Sequence, residues 1–327
     1  MKKYQAVVFG SLIKDIEFFS DEIFIVENEK DLTRQKLLAA EYGAKIPVDE
    51  IYFNYGGGAG NVSTGLSKLG IKAAPAGMIG NDQNGKEMLV YFKSQKIDTS
   101  LISINKNEPT GFSFILGSKK DNDHVIYTYK GASAELSFFP ALLKKFKADY
   151  YYIAALSQKG WEKDLAKLFS KARKDKTLIA WNPGQKQLVK PKSMLRFLPQ
   201  AEILILNKDE ATQLVMNFFG KSKQINNVKY LIYKLKALGP TMAIVTDGKR
   251  GASILDIDGK YYHLPAYGRK KPIDTVGAGD SFSSGFLAGW IYWQDAKKAL
   301  RLGLKNSGSV VMKVGAQNGL LTKKDIK

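Results

Sequence analysis

The sequence predicts an α/β fold: a mostly parallel central sheet flanked by helices on both faces, with a small β-rich lid. Three observations predict it. Short runs rich in β-branched and aromatic residues recur at 6–10, 149–156, 177–182, 202–207 and 242–247, and several are apolar almost throughout, as strands covered on both faces are. Helical patterns at 161–174, 209–218 and 228–238 lie between them. A helix between two strands returns the chain to the end where the first strand began, so the strands run parallel. The third observation is that two stretches break this rhythm.

Taken in order, the first strand leads into 18–55, which contains only short extended pieces. A glycine-rich turn follows, and Val62, Leu66 and Leu69 then fall at helical spacing. Residues 110–117 and 124–130 read as two alternating strands joined by a polar turn at 118–123. Neither irregular stretch suits the interior of a parallel sheet, and both flank the glycine turn. They are expected to form the lid, as segments of about 18–55 and 105–135 inserted in one domain spanning 1–327. There is no internal repeat and no Pro-rich linker to divide the chain. In such sheets ligands gather at the carboxyl ends of the strands.

Composition excludes several chemistries. The 327 residues are 44% hydrophobic and 25% charged, which is globular and enough for a sizeable core. With no cysteine there is neither a disulfide framework nor a thiolate site, and the two histidines, His124 and His263, cannot build a three-histidine metal centre. No run of about 18 apolar residues could span a membrane. The apolar stretch after Met1, Lys2 and Lys3 is interrupted by Asp15 and Glu17, too early for a signal peptide, so the expected location is cytoplasmic.

The net charge of +19 invites a nucleic-acid reading. Its make-up argues against one. Only six of the 50 basic residues are Arg, the side chain that forks onto phosphates and guanines. A lysine-rich solvated surface is expected, with no nucleic-acid partner; attraction for a small polyanion is the remaining reading.

Chemistry concentrates in 274–290. From Ala278 onward, Phe282, Gly285, Phe286, Gly289 and Trp293 share one face of a helix, so the preceding glycines open a buried helix. Gly277, Ala278 and Gly279 can aim backbone N–H groups at an anion there, where the helix dipole favours negative charge. Asp280 stands in the first turn. A carboxylate at that place is either a cap or a base that takes a proton from something attacking the anion. The run Gly56-Gly57-Gly58-Ala59-Gly60-Asn61 is a second small-residue site. Neither run has the dinucleotide pattern or the Gly-Lys-Ser/Thr ending of a P-loop.

Read in order, these motifs resemble the ribokinase-like carbohydrate kinases, the PfkB family, over nearly the whole chain. Gly10-Ser11 with Asp15 resembles the first strand and its sugar-binding aspartate, and Gly56-Gly57 with Asn61 resembles the N-terminal signature. The stretch 77–85 resembles the next strand and turn; 207–210 is similar to the NxxE motif, 246–251 to the nucleotide loop and 274–285 to the C-terminal signature. The resemblance implies an ATP-dependent kinase acting on a hydroxymethyl group of a sugar, with a ribonucleoside as the alternative acceptor.

It also implies roles. Asp280 would be the general base, with Gly277, Ala278 and Gly279 as the anion hole. Asp15, Gly57 and Asn61 would hold the substrate, and Thr246 and Gly248 the nucleotide. Asn207 and Glu210 would organise Mg²⁺ through water, although the same pair is a capping box in outline. Asp274 would bind a monovalent cation such as K⁺, and the lid would pair two subunits into a homodimer. Lys130 would approach substrate or phosphate, or stay solvated at the sheet edge.

Some positions depart from the family. Ser157 stands where ribokinases carry a sugar-binding glutamate. The asparagine often found near adenine has no clean match, the count falling on Leu304 with Asn306 two residues away. Adenine is therefore expected to meet backbone and apolar groups. Residues 27–48 lengthen the lid, and 181–185 resembles a stretch found in nucleoside-using members as well as in sugar kinases.

Overall fold

The computed structural model describes residues 1–20, 22–27, 36–48, 50–118, 124–138, 140–268 and 270–326. The expected turn at 118–123 lies, apart from Ser118, outside them, as does part of 27–48. An eight-stranded sheet runs through the body in the order Tyr261–Leu264, Ala252–Leu255, Met242–Thr246, Ile203–Asn207, Leu178–Trp181, Phe146–Ile153, Lys2–Phe9 and Ala73–Ala76. Six neighbouring strands, from Met242–Thr246 to Ala73–Ala76, are parallel; the other two form an antiparallel edge hairpin.

The near-continuous apolar runs are explained by what covers them. Val7, Phe9, Tyr151, Ile153 and Trp181 face one way with helix Trp161–Asp175, while Ala6, Val8, Tyr150, Tyr152 and Ala180 face the other with helices Gly57–Lys68 and Ala278–Trp293. Successive residues of a strand point to opposite faces, so a doubly covered strand must be apolar at every position. The chain leaves Lys2–Phe9 toward Ala73–Ala76 on one side and later adds Phe146–Ile153 on the other. The end of Lys2–Phe9 is thus the switch point of the sheet, where a crevice opens.

Above that crevice lies a second sheet in the order His124–Tyr129, Gly111–Ser118, Ile13–Ser20, Glu50–Gly56. It begins at Ile13, only four residues after the central strand ends at Phe9, so floor and lid are joined by one short link. The alternation expected of a one-sided sheet is present: Ile13, Asp15 and Glu17 are buried toward the body. The other face carries the row Phe53, Ile16, Phe114 and Tyr127, in register across all four strands. Phe53, Phe114 and Tyr127 are exposed.

The glycine run differs from a turn preceding a helix. Helix Gly57–Lys68 starts inside it. Gly57 has φ +80°, and a Cβ there would stand 2.5 Å from the Ser11 carbonyl oxygen; no other residue meets both conditions without strain. The Ala59 N–H donates to that same carbonyl, 3.1 Å away, so the glycines press the helix start against the switch-point loop.

Candidate active site

The helix Ala278–Trp293 is buried from Ser281 to Trp290 and backed by helix Ala296–Val310, which fixes its N-terminus rigidly. Its N-cap, Gly277, is left-handed (φ +74°) and offers no side-chain cap. No side chain therefore occupies the first-turn donors, as an anion site requires. The Ala278 N–H reaches back to the Thr275 carbonyl at 3.2 Å. Around Gly279 there is open space, with no atom within 4 Å of where a Cβ would be.

Asp280 is part-buried in this first turn, and its Oδ2 accepts a 2.8 Å hydrogen bond from Asn61 Nδ2. Asn61 is itself oriented. Gln317 Nε2 donates to its Oδ1 at 2.8 Å and to the Tyr55 carbonyl at 2.6 Å, while the Tyr91 hydroxyl donates to Gln317 Oε1 at 2.8 Å. This chain fixes the Asn61 amide with its NH₂ toward the carboxylate. Enclosure pushes the Asp280 carboxyl up to about 6, against the opposing hydrogen bond from Asn61.

Asp15 joins the same cluster from the lid. A Cβ on Gly56 would stand 2.7 Å from Asp15 Oδ2 and 2.8 Å from Asn61 Oδ1, so both side chains converge over that glycine. Ser113, opposite Asp15 in the lid sheet, donates its hydroxyl to Asp15 Oδ1. Burial raises the Asp15 carboxyl to about 6 against that hydrogen bond; Asp280 raises it further and Lys130 lowers it. Lys130 caps the short turn Gly131–Glu135 just beyond the lid strand. Ser157 is tied to the body, its hydroxyl donating to the Ser133 carbonyl at 3.0 Å.

On the far side of Ala278 lies a cleft of about 720 Å³, lined among others by Gly248, Ala266, Thr275, Leu304 and Gly308, with Lys249 and Lys270 also on its wall. Its volume and largely apolar lining suit a nucleoside base, and the lysines suit its phosphates. Leu304 faces this cleft. Asn306 does not: it is fully buried, donating to the Ser281 carbonyl at 2.7 Å and accepting from the Leu321 N–H at 2.9 Å. Thr246 ends its strand beside Asn207, the two being register partners.

Asn207 and Glu210 form the capping box that their spacing allows. Asn207 Oδ1 accepts from the Glu210 N–H at 2.8 Å, and Glu210 Oε2 accepts from the Asn207 N–H at 2.9 Å. Burial raises the Glu210 carboxyl above its ordinary range. Among the described residues no group of three or more His, Asp or Glu is placed to hold a metal. A carboxylate in the first turn of the helix Lys208–Phe219, just past a strand end, fits a Mg²⁺ that keeps its waters and arrives with a nucleotide's phosphates.

Asp274 is buried, its two oxygens accepting from the Val276 N–H at 2.8 Å and the Gly315 N–H at 2.7 Å. Beside it is a residue that the sequence offered only as an interruption of the N-terminal apolar stretch. Glu17, on the lid strand, is only 1% exposed and lies near enough to Asp274 for the two carboxyl charges to interact. Burial, then Asp274, pushes the Glu17 carboxyl up to about 8. The signal was present: Glu17 is two residues from Asp15 on a strand, hence on the same inward face. Gln317 had no such local signal.

A helix start without a side-chain cap, a carboxylate within it and a nucleotide-sized cleft alongside, on this fold, fit a phosphotransferase with a hydroxyl acceptor. The sequence profile of the pfkB family carbohydrate kinase matches residues 5–323, and the chain belongs to that family. It is 27% identical over 271 residues to a nucleoside kinase of Methanocaldococcus jannaschii, covering 82% of each chain. It is 25% identical over 309 residues to a 5-dehydro-2-deoxygluconokinase of Bacillus licheniformis, covering 89% of this chain and 91% of that one. The ribokinase of Arabidopsis thaliana, solved with ribose and ATP, superposes with a TM-score of 0.78 at 18% identity over 100% of this chain and 98% of that one.

Proposed function

We propose that the protein, as a single kinase domain over 1–327, transfers the terminal phosphoryl group of ATP to a hydroxymethyl group of a sugar. The observation that carries the reading is Asp280, held by Asn61 between the lid aspartate and the open helix start. Asp280 accepts the proton of the acceptor hydroxyl as its oxygen attacks the terminal phosphorus. The backbone N–H groups of Gly277, Ala278 and Gly279 stabilise charge developing on the transferred group. Asp15, Gly57 and Asn61 orient the acceptor. Gly248 and Thr246 serve the nucleotide, whose adenine lies against Leu304. Glu210 and Asn207 would hold a Mg²⁺ through water, and the ion would neutralise phosphate charge when bound.

A base raised to about 6 gives the reading a pH signature. The carboxylate must be ionised to accept a proton, so kcat/KM rises with pH through about 6 and is level above 7. A flat profile from pH 5 to 8, with substrate binding unchanged, would reject Asp280 as the base.

A ribonucleoside is the second acceptor reading, favoured by Ser157 in place of a sugar-binding carboxylate and by likeness to a nucleoside kinase. A panel of free sugars and ribonucleosides with Mg·ATP discriminates. Turnover on ribose, fructose or a related sugar is expected; turnover confined to inosine, adenosine or cytidine would replace the sugar reading.

The outward row of the lid supports a homodimer. Phe53, Ile16, Phe114 and Tyr127 carry no charge in a chain of net +19. Such a face stacks on its own copy by two-fold symmetry without burying like charges. Light scattering is expected to give a dimer, and Phe114→Asp a monomer.

A further inference from the structure

The orientation of Asn61 follows from one atom that can only accept. A side-chain amide can be turned end for end, but the backbone carbonyl of Tyr55 has no proton to give. The Gln317 atom 2.6 Å from it is therefore the amide nitrogen, and the same nitrogen directs its second N–H to Asn61 at 2.8 Å. The Asn61 atom that receives it must be the oxygen, which leaves the Asn61 nitrogen facing Asp280 Oδ2 at 2.8 Å. The Tyr91 hydroxyl completes the set by donating to Gln317 Oε1. Burial raises the Tyr91 hydroxyl, so its proton stays in place across the neutral range. Gln317 and Asn61 are both buried, so bulk water does not replace either partner.

We propose that Gln317 is a positioning residue for phosphoryl transfer: it holds the donor end of the Asn61 amide on Asp280 and so keeps the base in its ionised, proton-accepting form. The inference rests on the reading of Asp280 as the base. A donor facing a carboxylate favours the ion, whereas an acceptor facing it favours the acid. The hydrogen bond from Asn61 counters the enclosure of Asp280. Without Gln317 the Asn61 amide is free to turn over, and its oxygen then holds the proton on Asp280. Among the described residues, the titratable groups that face Asp280 are Asp15 on the lid strand Ile13–Ser20 and Tyr152 on the central strand Phe146–Ile153. A change at Gln317 removes neither.

The test reads Asp280 without requiring turnover. Protein labelled with ¹³C in its aspartate carboxyl groups is titrated from pH 4 to 9 with neither nucleotide nor acceptor, and the Asp280 signal is assigned by its absence in Asp280→Asn. Wild type is expected to titrate near 6. Gln317→Met, similar in volume but without donors, should raise the midpoint by about one pH unit, as the loss of a hydrogen bond to a charged group does. Gln317→Asn, still polar but too short to span Tyr55 and Asn61, should raise it too. Asn61→Leu should raise it at least as far, and Asn61→Leu combined with Gln317→Met no further, because Gln317 acts through Asn61. In steady-state kinetics, kcat/KM of Gln317→Met should fall about fivefold more at pH 6 than at pH 8.5; a merely structural role lowers both alike. A wild-type midpoint in both Gln317 variants, or shifts that add in full in the double variant, would overturn the proposal. A wild-type rate independent of pH would reject the base itself and with it the role of Gln317, an outcome distinct from an unmoved midpoint.

Discussion

Asp280→Asn is expected to lower kcat with Mg·ATP by about 10³-fold, with ATP binding almost unchanged. The substitution is isosteric, and an amide can still accept the Asn61 hydrogen bond, so geometry is kept while the capacity to take a proton is lost. The nucleotide cleft does not use this side chain: Gly248, Thr275, Ala278 and Leu304 line it. Stability should move the opposite way. The Asp280 carboxyl is raised to about 6 in the folded protein, above the ordinary aspartate value near 4. Between those values the folded state binds more protons than the unfolded one, and stability falls as pH rises through the window. Above it the ionised, enclosed carboxylate is a standing cost that the amide removes. Asp280→Asn should thus melt higher than wild type at pH 7.5, and the gap should shrink as pH falls through about 6 and close below about 4. A variant that retains a tenth of wild-type turnover would place the base elsewhere.

The second large effect is expected at the helix start. Gly277→Ala adds a Cβ that would collide with Ala316, in a left-handed conformation that costs an L-residue about 1–2 kcal/mol. The loop must shift, and the donors behind it lose their aim. Loss of an oriented oxyanion-type donor costs about 10²–10³ in kcat. Gly279→Ala separates stability from chemistry, because its Cβ meets no protein atom and projects into open space. Calorimetry and steady-state kinetics on both variants read this directly. Gly277→Ala should lower the melting temperature and kcat together; Gly279→Ala should lower kcat alone. Wild-type kcat in both variants would remove the anion hole from this place.

What was legible in the sequence followed from local rules. Strands Ile203–Asn207 and Met242–Thr246 declared themselves as unbroken apolar runs because both faces are covered. Ala73–Ala76 did not: three alanines and a proline carry no strand signal, and its burial comes from neighbours distant in sequence. The hairpin Ala252–Leu255 and Tyr261–Leu264 was missed as well, since it interrupts the parallel rhythm on which the reading relied. At the site, Asp280, Asn61 and Asp15 stand within motifs, and the structure brings them together. Gln317 lies 256 residues from Asn61 yet holds its amide, a pairing that only tertiary packing creates. Glu17 could have been found by strand parity, but its burial near Asp274 could not.

The placement of helix Ala278–Trp293 has a consequence for how such a protein diversifies. Its N-terminal end, the proposed site of phosphoryl transfer, is anchored by ten successive buried residues from Ser281 to Trp290, so it cannot drift without disturbing the core. The proposed acceptor residue Asp15, with its partner Ser113, is carried instead on strands of the separate lid sheet. On the proposed roles, substitutions there would alter which alcohol is presented while the reaction is kept. A lineage can thus explore new metabolites by editing two short strands, and selection on fold and selection on substrate act on different parts of one gene.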